Sequence, residues 1–291
     1  MLGSIEAGGT KFVCATAKEN GEISKIVDFP TTTPSETLAL VIDFFRSAAC
    51  AGNALQAVGI GCFGPLDLDP ASARFGSITA TPKQHWQNVN VRDYVMQALG
   101  CPVAIDTDVN AAGLAEAAEA DVPSLIYVTV GTGIGAGLIR DGRPLQGLSH
   151  PEMGHVRVRR HAFDLTYPGL CPFHGDCLEG LASGAAIFHR TGAKLADLPR
   201  TDPLRTVIAD YLAQFCATLA LVVSPHVIVL GGGVIAHNPD LLPAIRSQLD
   251  ILMGGYAATP EIIAPRLDTL SGIMGGVILA RQALATPVSS A

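Results

Sequence analysis

Charge is scarce in this sequence. Only 15% of its 291 residues are Asp, Glu, Lys or Arg, against roughly 25% in an ordinary soluble chain. With 48% of residues hydrophobic, that scarcity excludes a disordered chain, which needs high charge and low hydrophobicity. Basic residues are outnumbered, 19 against 26, for a net charge of −7. A general nucleic-acid or membrane-surface binder needs a basic face, so neither partner is expected. The start, Met1-Leu2-Gly3-Ser4-Ile5-Glu6, lacks a basic leader and an apolar core, so no signal peptide is expected and the chain is expected in the cytoplasm. The most apolar stretch, residues 219–230, is interrupted by Ser224-Pro225-His226. It falls short of the ~20 residues of a spanning helix and reads as a helix, a break and a buried strand. No low-complexity tract, charge block or fixed-period repeat occurs. The seven cysteines are odd in number and scattered, apart from Cys171 and Cys177. In a reducing compartment such a pair reads as a metal site rather than a disulfide.

The length allows one large domain or two ordinary ones of ~100–150 residues. Apolar alternation and Gly punctuation predict strands at 2–6, 11–17 and 23–29, with a hairpin turn at Asn20-Gly21. A helix at 35–51 follows, capped by Ser35 with Glu36 in its first turn, and then a buried strand at 57–62. Further on come a helix at 91–99, a strand at 103–106 and a helix at 110–119. Strands at 124–130 and 135–139 turn at Asp141-Gly142. A long helix at 206–223, a strand at 227–230 and a last helix at about 275–284 complete the pattern. Strands alternating with helices make the chain α/β. A boundary near 108–120 divides it into a domain of residues 1–115, to which a C-terminal helix at 275–291 returns, and a larger domain of 116–274. Ala7-Gly8-Gly9-Thr10 and Val130-Gly131-Thr132-Gly133 are weakly alike, as expected of two related halves.

The strongest chemical signal is His155, Cys171, His174 and Cys177, the last three spaced Cys-x2-His-x2-Cys. Zinc takes four N or S ligands in a tetrahedron, and Pro168-Gly169 and Pro172 suit an irregular loop that a metal would stiffen. Four protein ligands leave no open catalytic position, so the zinc is read as structural. His150 and His161 stand as alternative fourth ligands. Glu6-Ala7-Gly8-Gly9-Thr10-Lys11 follows an apolar strand. Its glycines let backbone N–H groups approach a phosphate, and Thr10 and Lys11 add a hydroxyl and a charge. It lacks the Walker A spacing, and an ordinary hairpin turn remains the alternative. Thr132 and Gly133 follow the same logic, as do Gly231, Gly232 and Gly233 between a strand and a helix.

Asp108 ends a strand that leads into a helix, where it reads either as a general base or as a helix N-cap; Asp106 is the competitor, one register away. Glu152 lies three positions before His155. A metal-bound histidine keeps its second ring nitrogen free for a hydrogen bond. His155 can therefore hold a substrate hydroxyl while Glu152 accepts from its neighbours; alternatively Glu152 only orients His155. Glu179 is similarly placed beside the metal loop. Arg157, Arg159 and Arg160 read as a solvated basic face, and Trp86 as a packing residue or a pocket wall.

Taken together, these segments resemble the ROK family of sugar kinases (repressors, open reading frames, kinases) over nearly the whole chain. Within it they are most similar to the bacterial zinc-containing fructokinases. Four stretches carry that likeness: Ile5-Glu6-Ala7-Gly8-Gly9-Thr10-Lys11-Phe12; Thr81-Pro82-Lys83; His150-Pro151-Glu152-Met153-Gly154-His155; and the run from Cys171 through Gly180. The resemblance implies two actin-like, hexokinase-like (ribonuclease H-like) α/β domains with an interdomain cleft, and usually a homodimer. It implies ATP-dependent phosphorylation of fructose to fructose 6-phosphate, with Mg²⁺ accompanying ATP and a structural Zn²⁺. Asp108 matches the family's catalytic base; Glu152, His155 and Glu179 match its sugar-binding residues, with Gly64 lining the same pocket. Gly8, Gly9, Thr10, Lys11, Thr132, Gly133, Gly184 and the run Gly231, Gly232, Gly233, Val234 match phosphate and adenosine positions. Glu6 and His174 stand where many members have Asp and Cys, as in the fructokinase branch, and Ala185 stands where many have Pro. Mannose, glucose and N-acetylhexosamine are the alternative substrates. A sugar-sensing regulator would need a DNA-binding domain before the first strand, and none is expected with a strand beginning at about residue 2.

Overall fold

The computed structural model describes residues 1–50 and 54–285. Position 51, the expected end of the first helix, and positions 286–291 of the expected C-terminal helix lie outside them. The chain divides into two compact units. One comprises Met1–Ala115, Pro144–His150 and the segment from Thr269; the other comprises Glu116–Arg143 and Pro151–Asp268.

In the first unit β1 (Leu2–Ala7), β2 (Lys11–Ala17) and β3 (Ile23–Pro30) form an antiparallel meander. The Asn20-Gly21 turn joins the last two, with Gly21 at φ +93°, which its missing Cβ permits. On its other side β1 pairs in parallel with β4 (Ala57–Cys62), and β4 with β5 (Val103–Thr107), giving the order β3-β2-β1-β4-β5. Helices α1 (Pro34–Cys50) and α2 (Val91–Leu99) flank the sheet, and their apolar faces join one core with Ile5, Phe12 and Ile60. Ser35 does not cap α1, because the helix begins one residue earlier. Thr33 and Glu36 form a reciprocal capping box, each side chain accepting the other's backbone N–H at 3.4 Å, with Pro34 in the first turn. Trp86 is a packing residue. It is fully buried against Phe12 and Phe63, and its indole N–H donates to Thr32 O at 2.8 Å. Truncating it to Ala should cost about 3–5 kcal/mol.

Helix α3 (Asp108–Ala120) leads from β5 into the second unit. There β6 (Ser124–Val130) and β7 (Ile134–Arg140) form an antiparallel pair, extended by the short β8 (Arg143–Pro144). Asp141 and Gly142 turn from β7 to β8 with φ +51° and +72°, as a type I′ turn requires. Three helices follow: α4 (Leu178–Ala182), α5 (Gly184–Thr191) and α6 (Pro203–Val223). Strand β9 (Val227–Gly231) then pairs in parallel with β6. After α7 (Gly233–Ala236) and α8 (Leu241–Met253), β10 (Glu261–Ile263) closes the order β10-β9-β6-β7-β8.

Helix α6 starts at Pro203, three residues before the expected 206, because the Asp202 carboxylate accepts the Leu204 N–H at 2.9 Å and Pro203 suits the first turn. It is long and apolar enough to cross a membrane, yet it forms the centre of the second core, with Ile208, Leu212 and Phe215 fully buried. It ends at Ser224 in the left-handed conformation, which produces the break before β9. The last helix, α9 (Ser271–Ala285), packs on β1 and β4 of the first sheet. Its approach is backbone to backbone: a Cβ added at Gly59 would lie 1.9 Å from Gly276 O.

Candidate functional site

In the first unit the glycine turn Gly8–Thr10 joins β1 to β2. Gly8 N–H donates to Lys11 O at 2.9 Å, and the turn is tied back by Thr31, whose hydroxyl donates to Gly8 O at 2.7 Å. Gly9, Thr10 and Lys11 are exposed. Glu6 is the penultimate residue of β1, in register with Gly61 on β4. A Cβ added at Gly272 of α9 would meet the Glu6 carboxylate at 2.5 Å, so that glycine leaves the acid its room.

Asp108 opens α3. It is not the N-cap: the Thr107 hydroxyl accepts the Asn110 N–H at 3.1 Å and so caps the helix. Asp106 is also committed, accepting the Thr107 N–H and the Asn110 amide, each at 2.7 Å. The Asp108 carboxylate accepts the adjacent Val109 N–H at 2.9 Å. Burial pushes its pKa up to about 6, against the opposing pull of backbone hydrogen bonds. Glu6 is raised to about 7, first by burial and then by the charge of Asp108, with Lys11 pulling the other way. Both carboxyls are thus raised chiefly by burial, and Glu6 in addition feels the charge of Asp108. Gly64, in the same unit, sits beside His150, whose Nε2 accepts the Leu66 N–H at 2.9 Å.

In the second unit His155, Cys171, His174 and Cys177 place their ligand atoms all within 4.8 Å of one another. His155 Nδ1 is 3.7 Å from Cys171 Sγ and 3.5 Å from Cys177 Sγ, and His174 Nδ1 is 3.7 Å from Cys171 Sγ. A tetrahedron with Zn–S of about 2.3 Å and Zn–N of about 2.0–2.1 Å has S···N edges of about 3.6 Å. The four donors therefore fit a tetrahedral metal. His161 is not among them; its Nδ1 accepts the Phe163 N–H at 3.2 Å. Nor is His150, which serves Leu66. Burial holds the Cys177 thiol up at about 11, so a cation arriving there displaces a proton. Cys171 and Gly175 close the knuckle with reciprocal backbone bonds of 3.1 and 2.9 Å.

With Nδ1 facing the cysteines, His155 Nε2 points the other way. It lies 4.0 Å from a Glu152 oxygen and 4.0 Å from a Glu179 oxygen. That spacing is too long for direct hydrogen bonds and suits hydroxyl groups between them. The other Glu179 oxygen accepts the Ile134 N–H at 2.9 Å. Glu179 thus stands between His155 and the turn Gly131–Gly133, bonded on the turn side, and a Cβ at Gly133 would strike it at 2.5 Å. Around that turn the glycine segments of this unit converge. Gly184 N–H donates to Gly131 O at 2.7 Å and Ala185 N–H to Thr132 O at 3.3 Å. Gly232, at φ +85°, lies so close to Val130 that a Cβ would come within 2.5 Å of its nitrogen. Val234 Cγ2 would be 3.4 Å from a Cβ on Gly184. Thr132, Gly133, Gly184 and the Gly231–Val234 run are therefore neighbours.

Arg160 departs from the expected solvated face. It is largely buried, and one of its nitrogens holds the carbonyls of Asp164 and Tyr167. Arg190, Asp164 and Tyr211 join it beneath the metal loop. The sequence reading missed these residues because their partners lie on separate helices.

The chain is similar to known proteins over nearly its whole length. The chain is 41% identical to a fructokinase of Pediococcus pentosaceus over 98% of this chain and 99% of that one. It is 43% identical to a fructokinase of Zymomonas mobilis over 97% of each. Among solved structures, a ROK hexokinase from Thermus thermophilus superposes with a TM-score of 0.80 at 27% identity, covering 98% of this chain and 99% of that one. A ROK family glucokinase from Streptomyces griseus, in complex with glucose and AMPPNP, gives 0.76 at 25%, covering 97% and 99%. These neighbours make the fold that of the two-domain actin-like sugar kinases. The ROK family profile matches residues 2–283, and the chain belongs to the ROK family.

Proposed function

We propose that this chain is an ATP-dependent fructokinase, converting fructose to fructose 6-phosphate. The observation that carries the sugar reading is His155: one ring nitrogen faces the two thiols and the other faces a pair of carboxylates. An imidazole N–H between two acceptors matches neighbouring hydroxyls of a hexose, each of which donates and accepts. The full-length fructokinase relatives support fructose as that hexose.

Phosphoryl transfer asks the protein for alignment and charge neutralisation rather than covalent chemistry. Asp108 takes the proton from the C6 hydroxyl of fructose as that oxygen attacks the γ-phosphate. A carboxylate with a pKa of about 6 is ionised at neutral pH and still basic enough to help. Glu152, His155, Glu179 and the peptide at Gly64 orient the sugar. Backbone N–H groups at Gly9, Thr10, Thr132 and Gly133 hold phosphates, the Gly8 N–H being spent on Lys11 O; Lys11 adds a positive charge, and Gly184 with Gly231–Val234 borders the nucleotide. Mg²⁺ arrives as the counter-ion of ATP. His155, Cys171, His174 and Cys177 would hold zinc, which would supply rigidity; four protein donors would leave no open position for substrate. We place the enzyme in the cytoplasm as a homodimer, as the resemblance implies.

Coupled ADP release over fructose, mannose, glucose and N-acetylhexosamines, with and without chelator, tests the reading. Fructose should give the highest kcat/KM. A higher value on another hexose would move the substrate assignment, and no hexose-dependent ADP release would end it.

A further inference from the structure

His155 and the Cys171–Cys177 knuckle are brought together by residues 156–170, a segment with almost no regular structure beyond a short 3-10 turn at Ala162–Asp164. Ordering such a segment costs roughly 1–2 kcal/mol of backbone entropy per residue, so something must hold it. A buried polar cluster does. Asp164 is 6% exposed. Its carboxylate accepts the Tyr211 hydroxyl from α6 at 2.8 Å and lies 3.2 Å from Arg190 Nη1 of α5. Arg190 also donates to Leu181 O of α4 at 2.5 Å. Arg160 connects this cluster to the knuckle: it binds the Asp164 carbonyl and lies 3.4 Å from Asp176, the residue before Cys177. Helix α6 adds a second grip one turn on, where Gln214 exchanges hydrogen bonds of 2.8 and 3.1 Å with the Arg159 backbone.

We propose that Asp164 is a positioning residue: through Tyr211, Arg190 and Arg160 it gathers the four metal donors into one tetrahedron, and so aims His155 Nε2 at the sugar. The aim at the sugar rests on the functional reading above; the gathering of the donors does not. Because the cluster ties the loop to three helices, the donors stay close without the metal, and affinity rises because less ordering is left for binding to do.

The test is zinc transfer from the zinc-loaded full-length protein to a chromophoric chelator, for wild type, Asp164→Asn and Tyr211→Phe. Asp164→Asn should weaken zinc binding about 10- to 100-fold, the range found when partners behind metal ligands are removed. It should raise the fructose KM severalfold with kcat within about twofold, and excess zinc should restore KM. Tyr211→Phe removes one hydroxyl and leaves the Arg190 pair, so it should fold even where Asp164→Asn does not; it should weaken zinc about threefold or more. A lowered melting temperature with wild-type zinc affinity in the folded variants would make the cluster merely structural and overturn the inference. Weakened zinc in a protein whose wild type does not phosphorylate fructose would leave the donor-gathering role intact and remove only the functional reading.

Discussion

The two sheets run in the same order, β3-β2-β1-β4-β5 and β8-β7-β6-β9-β10, and in each the first turn joins an antiparallel pair. Between the third and fourth strands in chain order they part. One helix, α1, makes that connection in the first unit. In the second it carries the metal donors, α4, α5 and α6. The turns differ accordingly. Gly8–Thr10 is tied by a neutral hydroxyl, Thr31, while Gly131–Gly133 is held by Glu179 from the longer connection. A repeated scaffold thus acquires two chemistries from what is inserted into it, and the strands carry little of the difference.

The largest effect that would sharpen this contrast lies in the first unit. Asp108→Asn should lower kcat by at least about 100-fold while stabilising the protein at pH 7.5. The native pKa of about 6 lies above the ordinary 3.8. The folded state therefore binds the proton more tightly, and that stabilisation is complete below pH ~4 and is lost as pH rises through about 6. Asparagine removes the loss, worth about 1–3 kcal/mol, and an unchanged or lower melting temperature would contradict it. The activity of the wild type should fall on the acid side with a midpoint near 6, Glu6 adding a second coupled step near 7.

Next in size is the insertion. Chelation, or Cys177→Ser, should open residues 156–177 to protease and raise the fructose KM about tenfold. Amide protection in β1 and β4 should be unaffected, as hydrogen exchange would show. If both sheets lose protection together, the units are not independent in stability. Smaller again is the contrast between the turns. Gly133→Ala must displace Glu179 from the Ile134 N–H, whereas a Cβ at Gly9 meets nothing within 4 Å. Thermal melts should show a loss of about 1–3 kcal/mol for the first and under about 0.5 kcal/mol for the second.

Much of the scaffold was legible because β-branched runs and Gly turns mark strands plainly, and because α6 is apolar over five turns. Helix starts were less so: Thr33 and Thr107 took the caps that Ser35 and Asp108 competed for, a choice set by backbone direction that spacing does not encode. Helix α8 went unread, with Pro243 inside its first turn and glycines just past Met253. Strand β10 is only three residues long and lies between prolines. At the metal site the ligand types and spacing were visible in the chain. Which nitrogen of His155 faces the thiols was not, nor were Asp164, Arg190 and Tyr211, which meet only once three helices have packed.

Glu179 has a consequence for how substrates communicate. One of its oxygens is already fixed to the Ile134 amide, so a ligand that pulls on the other oxygen tugs the backbone where phosphates are expected to rest. Sugar alone, with no nucleotide present, should then move the amide resonances of Gly133 and Ile134, and Glu179→Gln should quieten that signal. On the proposed placement of sugar and phosphates, occupancy at one substrate's seat would in this way be announced at the other's through a single side chain.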